Sequence, residues 1–192
     1  MRKIRIGQIG IGHNHASEKM AALRRLSDLY EVVGVVEPDE KWWEERGNLA
    51  AYQGIPRLTE EELFRTENLE AVAVETDGFE LLETARRCID HDLSIHMDKP
   101  GGEKLEPFCA LLNEFRRKHR TIQMGYMYRS NPAIQYCFEA VKKGWLGEIF
   151  EIHAVMNRYD GNNEKYRRWL AQFGGGAVYI FAGHLIDLVV TL

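Results

Sequence analysis

The chain has 192 residues, 45% hydrophobic and 28% charged, a balance that suits a globular protein with a core, one domain and part of a second. Its net charge of −4 comes from interspersed acids and bases, which argues against nucleic acid or an anionic membrane as the main partner. No apolar run approaches the roughly 20 residues of a membrane span. Cys88, Cys109 and Cys137 are odd in number and widely spaced, so they form neither a disulfide framework nor a zinc pattern, and a reducing cytoplasm is expected.

The opening MRKIRIGQIG has a basic start, but its short apolar stretch runs into glycines and reads as a strand, not a signal peptide. Ile4–Ile9 is therefore the first strand. Ser17–Leu29 follows as a helix, with Met20, Leu23, Leu26 and Leu29 at helical spacing. Glu31–Glu37 is a second strand stopped by Pro38. Helical patterns then cover Asp39–Tyr52 and, behind a Thr cap, Thr59–Phe64. Strands at Ala71–Glu75, Leu93–Met97 and Thr121–Tyr126 alternate with helices at Phe79–Asp90 and Leu105–His119. Such alternation predicts an α/β fold, a doubly wound parallel sheet with helices on both faces. Near Ser130–Pro132 the pattern changes: a helix over Ala133–Lys143 and a turn lead into a long alternating strand, Glu148–Met156. A boundary near residues 126–132 separates a nucleotide-binding domain, 1–126, from a second region, 127–192.

The first strand and helix are joined by IGQIGIGHNH, which supplies Gly10-x-Gly12. Glycine suits that position because the turn is tight and a side chain would hold the backbone away from a pyrophosphate. The helix start then offers free amides and a positive dipole end to phosphates. His15 stands where a third glycine would ease packing. Gly10, Ile11, Gly12, His13 and Asn14 are the expected phosphate-side residues, and Thr76, just past the third long strand, joins them. Glu37 ends the second strand; a carboxylate there accepts hydrogen bonds from a ribose diol and repels the extra phosphate of NADP, which favours NAD.

The segment HMDKP places Lys99 just beyond a strand's C-terminal end, where open parallel sheets bind ligands. A lysine there can exchange a proton with an alcohol. Taken in order, Gly10-x-Gly12, Glu37, Asp98-Lys99-Pro100, GYMYRSNPA, GWLGEI and GGGAVYIFAGHLIDL resemble the glucose–fructose oxidoreductase / inositol dehydrogenase (Gfo/Idh/MocA) family across nearly the whole chain. The resemblance implies a Rossmann domain followed by an α/β domain with a large, mainly antiparallel sheet. It also implies reversible hydride transfer between a nicotinamide and a carbinol carbon of a sugar, polyol or related compound. The family's Glu-Lys-Pro maps onto Asp98, Lys99 and Pro100, often with a cis Lys–Pro bond. Lys99 thereby inherits substrate binding and proton transfer, and Asp98 and Lys99 join the cofactor contacts.

After Gly174–Gly176 the family carries an aspartate and, four residues on, a histidine. His184 matches the histidine and is the second expected catalytic residue; Ile180 replaces the aspartate, which weakens the dehydrogenase assignment. Tyr128 and Arg129 are expected in the substrate cleft with Lys99 and His184, and Asn131 lies beside them. No metal is assigned: His184 and Asp187 at i, i+3 read as a helical pair, and His13 and His15 as cofactor-adjacent or capping residues. Three activities remain open: a sugar or polyol dehydrogenase, a nucleotide-binding relative without turnover, and NAD-dependent glycoside cleavage. The chain ends on HLIDLVVTL in mid-helix, so a fragment of a longer reading frame is expected. A small-molecule substrate is the expected partner, with homo-oligomerisation expected for a full-length protein only.

Overall fold

The computed structural model describes residues 2–157, 159 and 163–192. They form two compact units, Met1–Gly125 and Tyr126–Leu192.

In the first unit six strands form one parallel sheet: β1 (Ile4–Ile9), β2 (Tyr30–Val36), β3 (Arg57–Leu58), β4 (Ala71–Val74), β5 (Ser94–Met97) and β6 (Ile122–Met124). Their spatial order is β3-β2-β1-β4-β5-β6. This is the doubly wound order in which the chain reverses direction across the sheet between β1 and β4, leaving a crevice at the strands' C-terminal ends. Sheet residues covered on both faces read as unbroken apolar runs, and Val72, Ala73 and Val74 are fully buried.

The covering helices are α1 (Ala16–Arg25), α2 (Glu40–Arg46), α3 (Glu60–Phe64), α4 (Leu81–Asp90) and α5 (Leu105–Arg117). The α4 helix buries Leu81, Ala85, Cys88 and Ile89, an i, i+4, i+7, i+8 stripe, against β5 and α5. Leu81 and Ile89 each contribute about 1.5–3 kcal/mol by leaving water. Thr59 caps α3 in a full capping box with Glu62, as the sequence predicts. The α4 and α5 helices are each two residues shorter than predicted, and two helices depart further. The α1 helix stops at Arg25 because Leu26–Leu29 turn back to the sheet, Ile4 donating to the Leu29 carbonyl. The α2 helix stops at Gly47-Asn48, both poor helix formers, and Ala50–Tyr52 continues as a separate 3-10 turn. The two-residue β3 has no apolar run to announce it.

The second unit holds α6 (Pro132–Lys142), α7 (Glu164–Leu170) and α8 (Gly176–Val189). Asn131 caps α6 with Pro132 at its first position, where a missing amide costs nothing. Leu170, Phe173 and Ile180 form its buried cluster, flanked by Tyr166, Trp169, Tyr179 and Phe181. The strand expected over Glu148–Met156 does not form. A strand is made by hydrogen bonds to a neighbour, and residues 126–192 contain no other strand among the described residues. The antiparallel sheet implied by the family resemblance thus contributes no strand here, and Phe150 and Val155 are left exposed. No helix of the described residues is long and apolar enough to cross a membrane.

Candidate nucleotide site and neighbouring polar cluster

The β1–α1 turn occupies the crevice between β1 and β4. Gly10 has φ +92°, and a Cβ there would stand 2.4 Å from the Thr76 amide nitrogen. A side chain at Gly12 would instead meet the Trp42 indole at 2.9 Å. The turn's carbonyls are held from two sides. Buried Gln8 donates from Nε2 to the oxygens of Gly10 (2.9 Å) and Ala16 (3.2 Å), tying the turn to α1. Arg46, stacked over Trp42, donates from one nitrogen to the carbonyls of Ile11, Gly12 and His13 at 2.8–3.2 Å.

The turn's amides divide into two sets. The Ile11 amide donates to Glu37 Oε2 at 2.8 Å and the His13 amide to the Glu75 carbonyl at 3.2 Å. The amides of Gly12 and Asn14 have no acceptor among the described residues. The Thr76 hydroxyl is buried without a partner as well. A buried hydroxyl is normally satisfied; that of Thr76, together with the open amides of Gly12 and of exposed Asn14, fits the phosphates and ribose of a dinucleotide held on the turn.

Glu37 directly follows β2 beside the turn and is buried. Burial pushes its carboxyl above the usual range, opposed by the amides of Ile11 and Asp39, which donate to its two oxygens. Each oxygen keeps a second lone pair. The acid expected to meet the ribose therefore also braces the phosphate turn.

A second polar group gathers at the ends of β1, β4 and β5. Asp98 is buried; its Oδ2 lies 2.9 Å from His15 Nδ1 and 3.6 Å from His13 Nδ1, and its Oδ1 accepts from the Lys99 amide at 2.6 Å. Burial raises the Asp98 carboxyl, but the His15 hydrogen bond and the nearby imidazoles outweigh it and hold it near 2. Glu75, fully buried with neither carboxylate oxygen hydrogen-bonded, is pushed up to about 8 by desolvation and then by Asp98. Its oxygens stand 3.8 Å from His13 Nδ1 and 4.0 Å from His96 Nδ1. Burial lowers both imidazoles to about 4. Lys99 is buried beside Asp98, and the Lys99–Pro100 peptide is cis.

In the second unit His184 is buried, with the rings of Tyr126 and Tyr128 edge-on to it at 5.8 and 5.1 Å. Arg129 does not present a free guanidinium: it makes a two-pronged ion pair with buried Asp187, Nε donating to Oδ2 at 2.6 Å. Asp187 therefore pairs with Arg129. Asn131 serves as the α6 cap.

Ile180 is buried in the α7–α8 apolar cluster. Restoring the family's aspartate by Ile180→Asp would bury a carboxylate among Leu170 and Phe173. The expected cost is about 3 kcal/mol or more, read as a lower melting temperature with no gain in turnover.

Sequence reasoning missed Gln8, Arg46, Trp42, Glu75 and His96. A glutamine inside an apolar strand and a carboxylate ending AVAVE were the available signals for Gln8 and Glu75. Arg46 and Trp42 had none, because their contacts to the turn span about 30 residues of chain.

The family described as "Oxidoreductase family, NAD-binding Rossmann fold" (GFO_IDH_MocA) matches residues 4–126. An uncharacterized oxidoreductase from Synechocystis is 28% identical over 132 residues, 66% of this chain and 35% of that protein. Among solved structures, myo-inositol 2-dehydrogenase from Lactobacillus plantarum superposes with a TM-score of 0.78 at 18% identity, over 98% of this chain and 56% of its own. The WlbA dehydrogenase from Bordetella pertussis, in complex with NADH and UDP-GlcNAcA, gives 0.79 at 19% identity, over 100% and 57%. An oxidoreductase from Thermotoga maritima gives 0.79 at 20%, over 99% and 60%. At such identities the structural likeness establishes the fold, and the chain spans little more than half the length of these structures.

Proposed function

This chain belongs to the Gfo/Idh/MocA family of oxidoreductases with an NAD-binding Rossmann fold, and from that membership we propose that the protein transfers hydride between NAD and a hydroxyl-bearing carbon of a sugar, polyol or related alcohol. The observation that carries this reading is the β1–α1 turn itself. Gly10 is pressed onto Thr76, the Gly12 and Asn14 amides and the Thr76 hydroxyl are free, and Glu37 directly follows the adjacent strand.

When bound, the nicotinamide supplies a two-electron acceptor for the substrate's hydride. The Gly12 and Asn14 amides receive the phosphates, and Glu37 accepts from the ribose diol while its charge opposes a 2′-phosphate. Lys99 exchanges the proton of the substrate hydroxyl; His184 stands as the second catalytic candidate by the family resemblance. Tyr128 contributes to the substrate side by shaping the His184 environment. The sugar or polyol class is favoured by the two dehydrogenases of similar fold, one acting on myo-inositol and one bound to a nucleotide sugar.

Calorimetric titration of the folded chain with NAD, NADH and NADP tests the cofactor assignment. NAD is expected to bind more tightly than NADP. Hydrogen bonds to a charged group are worth roughly 1.5–3 kcal/mol, so Glu37→Ala should weaken NAD by about tenfold or more. Because Glu37 also braces the turn, the decisive readout is the NAD-to-NADP ratio. It collapses only if the carboxylate discriminates at the ribose; damage to the turn weakens both nucleotides alike. A well-folded chain that binds no nucleotide would remove the reading altogether.

Burial of Ile180 in an apolar cluster favours a second reading, a nucleotide-binding relative without turnover. A polyol and sugar screen that follows NADH absorbance separates the two: NAD affinity with no reduction of NAD by any substrate selects the second.

A further inference from the structure

The cluster at the ends of β1, β4 and β5 is more than a lining for the cofactor. One ligand atom from each of His13, His15 and Asp98 lies within 4.8 Å of the other two. Glu75 Oε2 stands 3.8 Å from His13 Nδ1. We propose that His13, His15, Glu75 and Asp98 form a binding site for a divalent transition-metal ion of the zinc class. The inference goes beyond the dehydrogenase reading and does not depend on it.

Geometry supports the site first. Zinc bonds of about 2.0–2.2 Å to nitrogen and oxygen in a tetrahedron place neighbouring donor atoms roughly 3.3–3.5 Å apart. The separations here are 2.9 Å for His15–Asp98, 3.6 Å for His13–Asp98 and 3.8 Å for His13–Glu75. The first two lie on either side of that spacing, and Glu75, outside the mutual 4.8 Å of the other three, would move toward the ion to join them.

Burial and charge point the same way. Glu75 is fully buried, and neither of its oxygens has a hydrogen-bond partner. An ionised carboxylate in that state is costly unless a cation or donor reaches it. Its neighbours His13 and His96 stand just beyond hydrogen-bond distance. Two carboxylates and two neutral imidazoles together balance a divalent ion. Imidazole with carboxylate, and no thiolate among the four, favours zinc or a neighbouring first-row ion over magnesium or calcium. Two existing contacts would be given up, the 2.9 Å hydrogen bond between His15 Nδ1 and Asp98 Oδ2 and the long 3.3 Å bond from the His15 amide to His13 Nδ1. The latter is at the weak end of the range for an amide donor. The competing internal arrangement is a protonated Glu75 with no ion present.

The test is titration of the full chain, stripped with a chelator, with Zn²⁺ and no nucleotide present; Mg²⁺ is run in parallel. The proposal expects one Zn²⁺ per chain, no comparable Mg²⁺ binding, and loss of affinity in both His15→Ala and Glu75→Gln. That loss should exceed the roughly 10–100-fold caused by changing groups that merely support metal ligands. His15 is only half-buried and Gln is isosteric with Glu, and circular dichroism checks that both variants fold. Co²⁺ provides a second readout, since its visible absorption reports coordination, and Glu75→Gln should alter that spectrum. A folded chain that takes up no Zn²⁺ overturns the proposal. So does uptake that is unchanged in either variant, or that disappears in His153→Ala, where an exposed imidazole beside Glu151 offers an unrelated surface site. Because nucleotide is absent throughout, failure here leaves the NAD reading standing, and failure of NAD binding leaves this one.

Discussion

Gly10→Ala is expected to abolish nucleotide binding and to destabilise the first unit by about 3 kcal/mol or more. Two penalties combine. The backbone at φ +92° is a conformation that only glycine adopts without strain, costing another residue roughly 1–2 kcal/mol. The new Cβ would also stand 2.4–2.5 Å from Thr76 N, Glu75 C and Thr76 Cα. These are main-chain atoms just past the end of β4, so no side chain can rotate away, and overpacking of this kind costs typically 1–3 kcal/mol. Relief requires β1 and β4 to separate at the point where the Glu75 amide donates to the Ile9 carbonyl at 2.8 Å. Thermal or urea denaturation gives the stability loss and calorimetry gives the NAD affinity. Gly54→Ala is a useful control: φ is +76° there, but no atom lies within 4 Å, so only the conformational penalty should appear. If Gly10→Ala lost no more stability than Gly54→Ala, the close approach of turn and strand would be wrong.

Lys99→Met should lower kcat by about 100- to 10,000-fold, the usual range for removing a positioned acid or base, with a much smaller loss of NAD affinity. Lys99 is buried just past the end of β5, where its amide donates to Asp98 Oδ1 and fixes the backbone that carries its side chain. Lys99→Arg divides the possible roles. An arginine keeps the positive charge but holds its proton across the working pH range, so it can bind a substrate hydroxyl without accepting its proton. Recovery of kcat in Lys99→Arg would show that charge alone suffices; failure in both variants, with the pH dependence of kcat flattened, is the outcome expected of proton transfer. The measurement uses the substrate found in the polyol and sugar screen, and KM is recorded beside kcat to separate binding from chemistry.

Local patterns in the sequence determined much of the first unit. Strands buried on both faces must be unbroken apolar runs, so Ile4–Ile9 and AVAV announced themselves. The Thr59–Glu62 capping box marked the start of α3 because its partners are three residues apart. Gly10 and Glu37 were legible for the same reason: the strand–turn–helix unit specifies them within one stretch of chain.

What only the tertiary structure decided depends on groups far apart in sequence. His13, Glu75 and Asp98 follow three different strands, and they converge because β1, β4 and β5 are neighbours in the sheet. Read singly, His13 and His15 were cofactor-adjacent or capping residues; no local pattern could show that an unpartnered carboxylate from β4 faces them. Arg129 reads from the sequence as a substrate contact, and nothing local shows that its guanidinium pairs with Asp187, 58 residues on. The alternating segment Glu148–Met156 shows the converse limit. Its period of two states what the segment could become, but a strand is completed by a neighbour's hydrogen bonds, and residues 126–192 provide none among those described. Periodicity and caps are carried by adjacent residues; sites and sheets are made by the partners the fold brings to them.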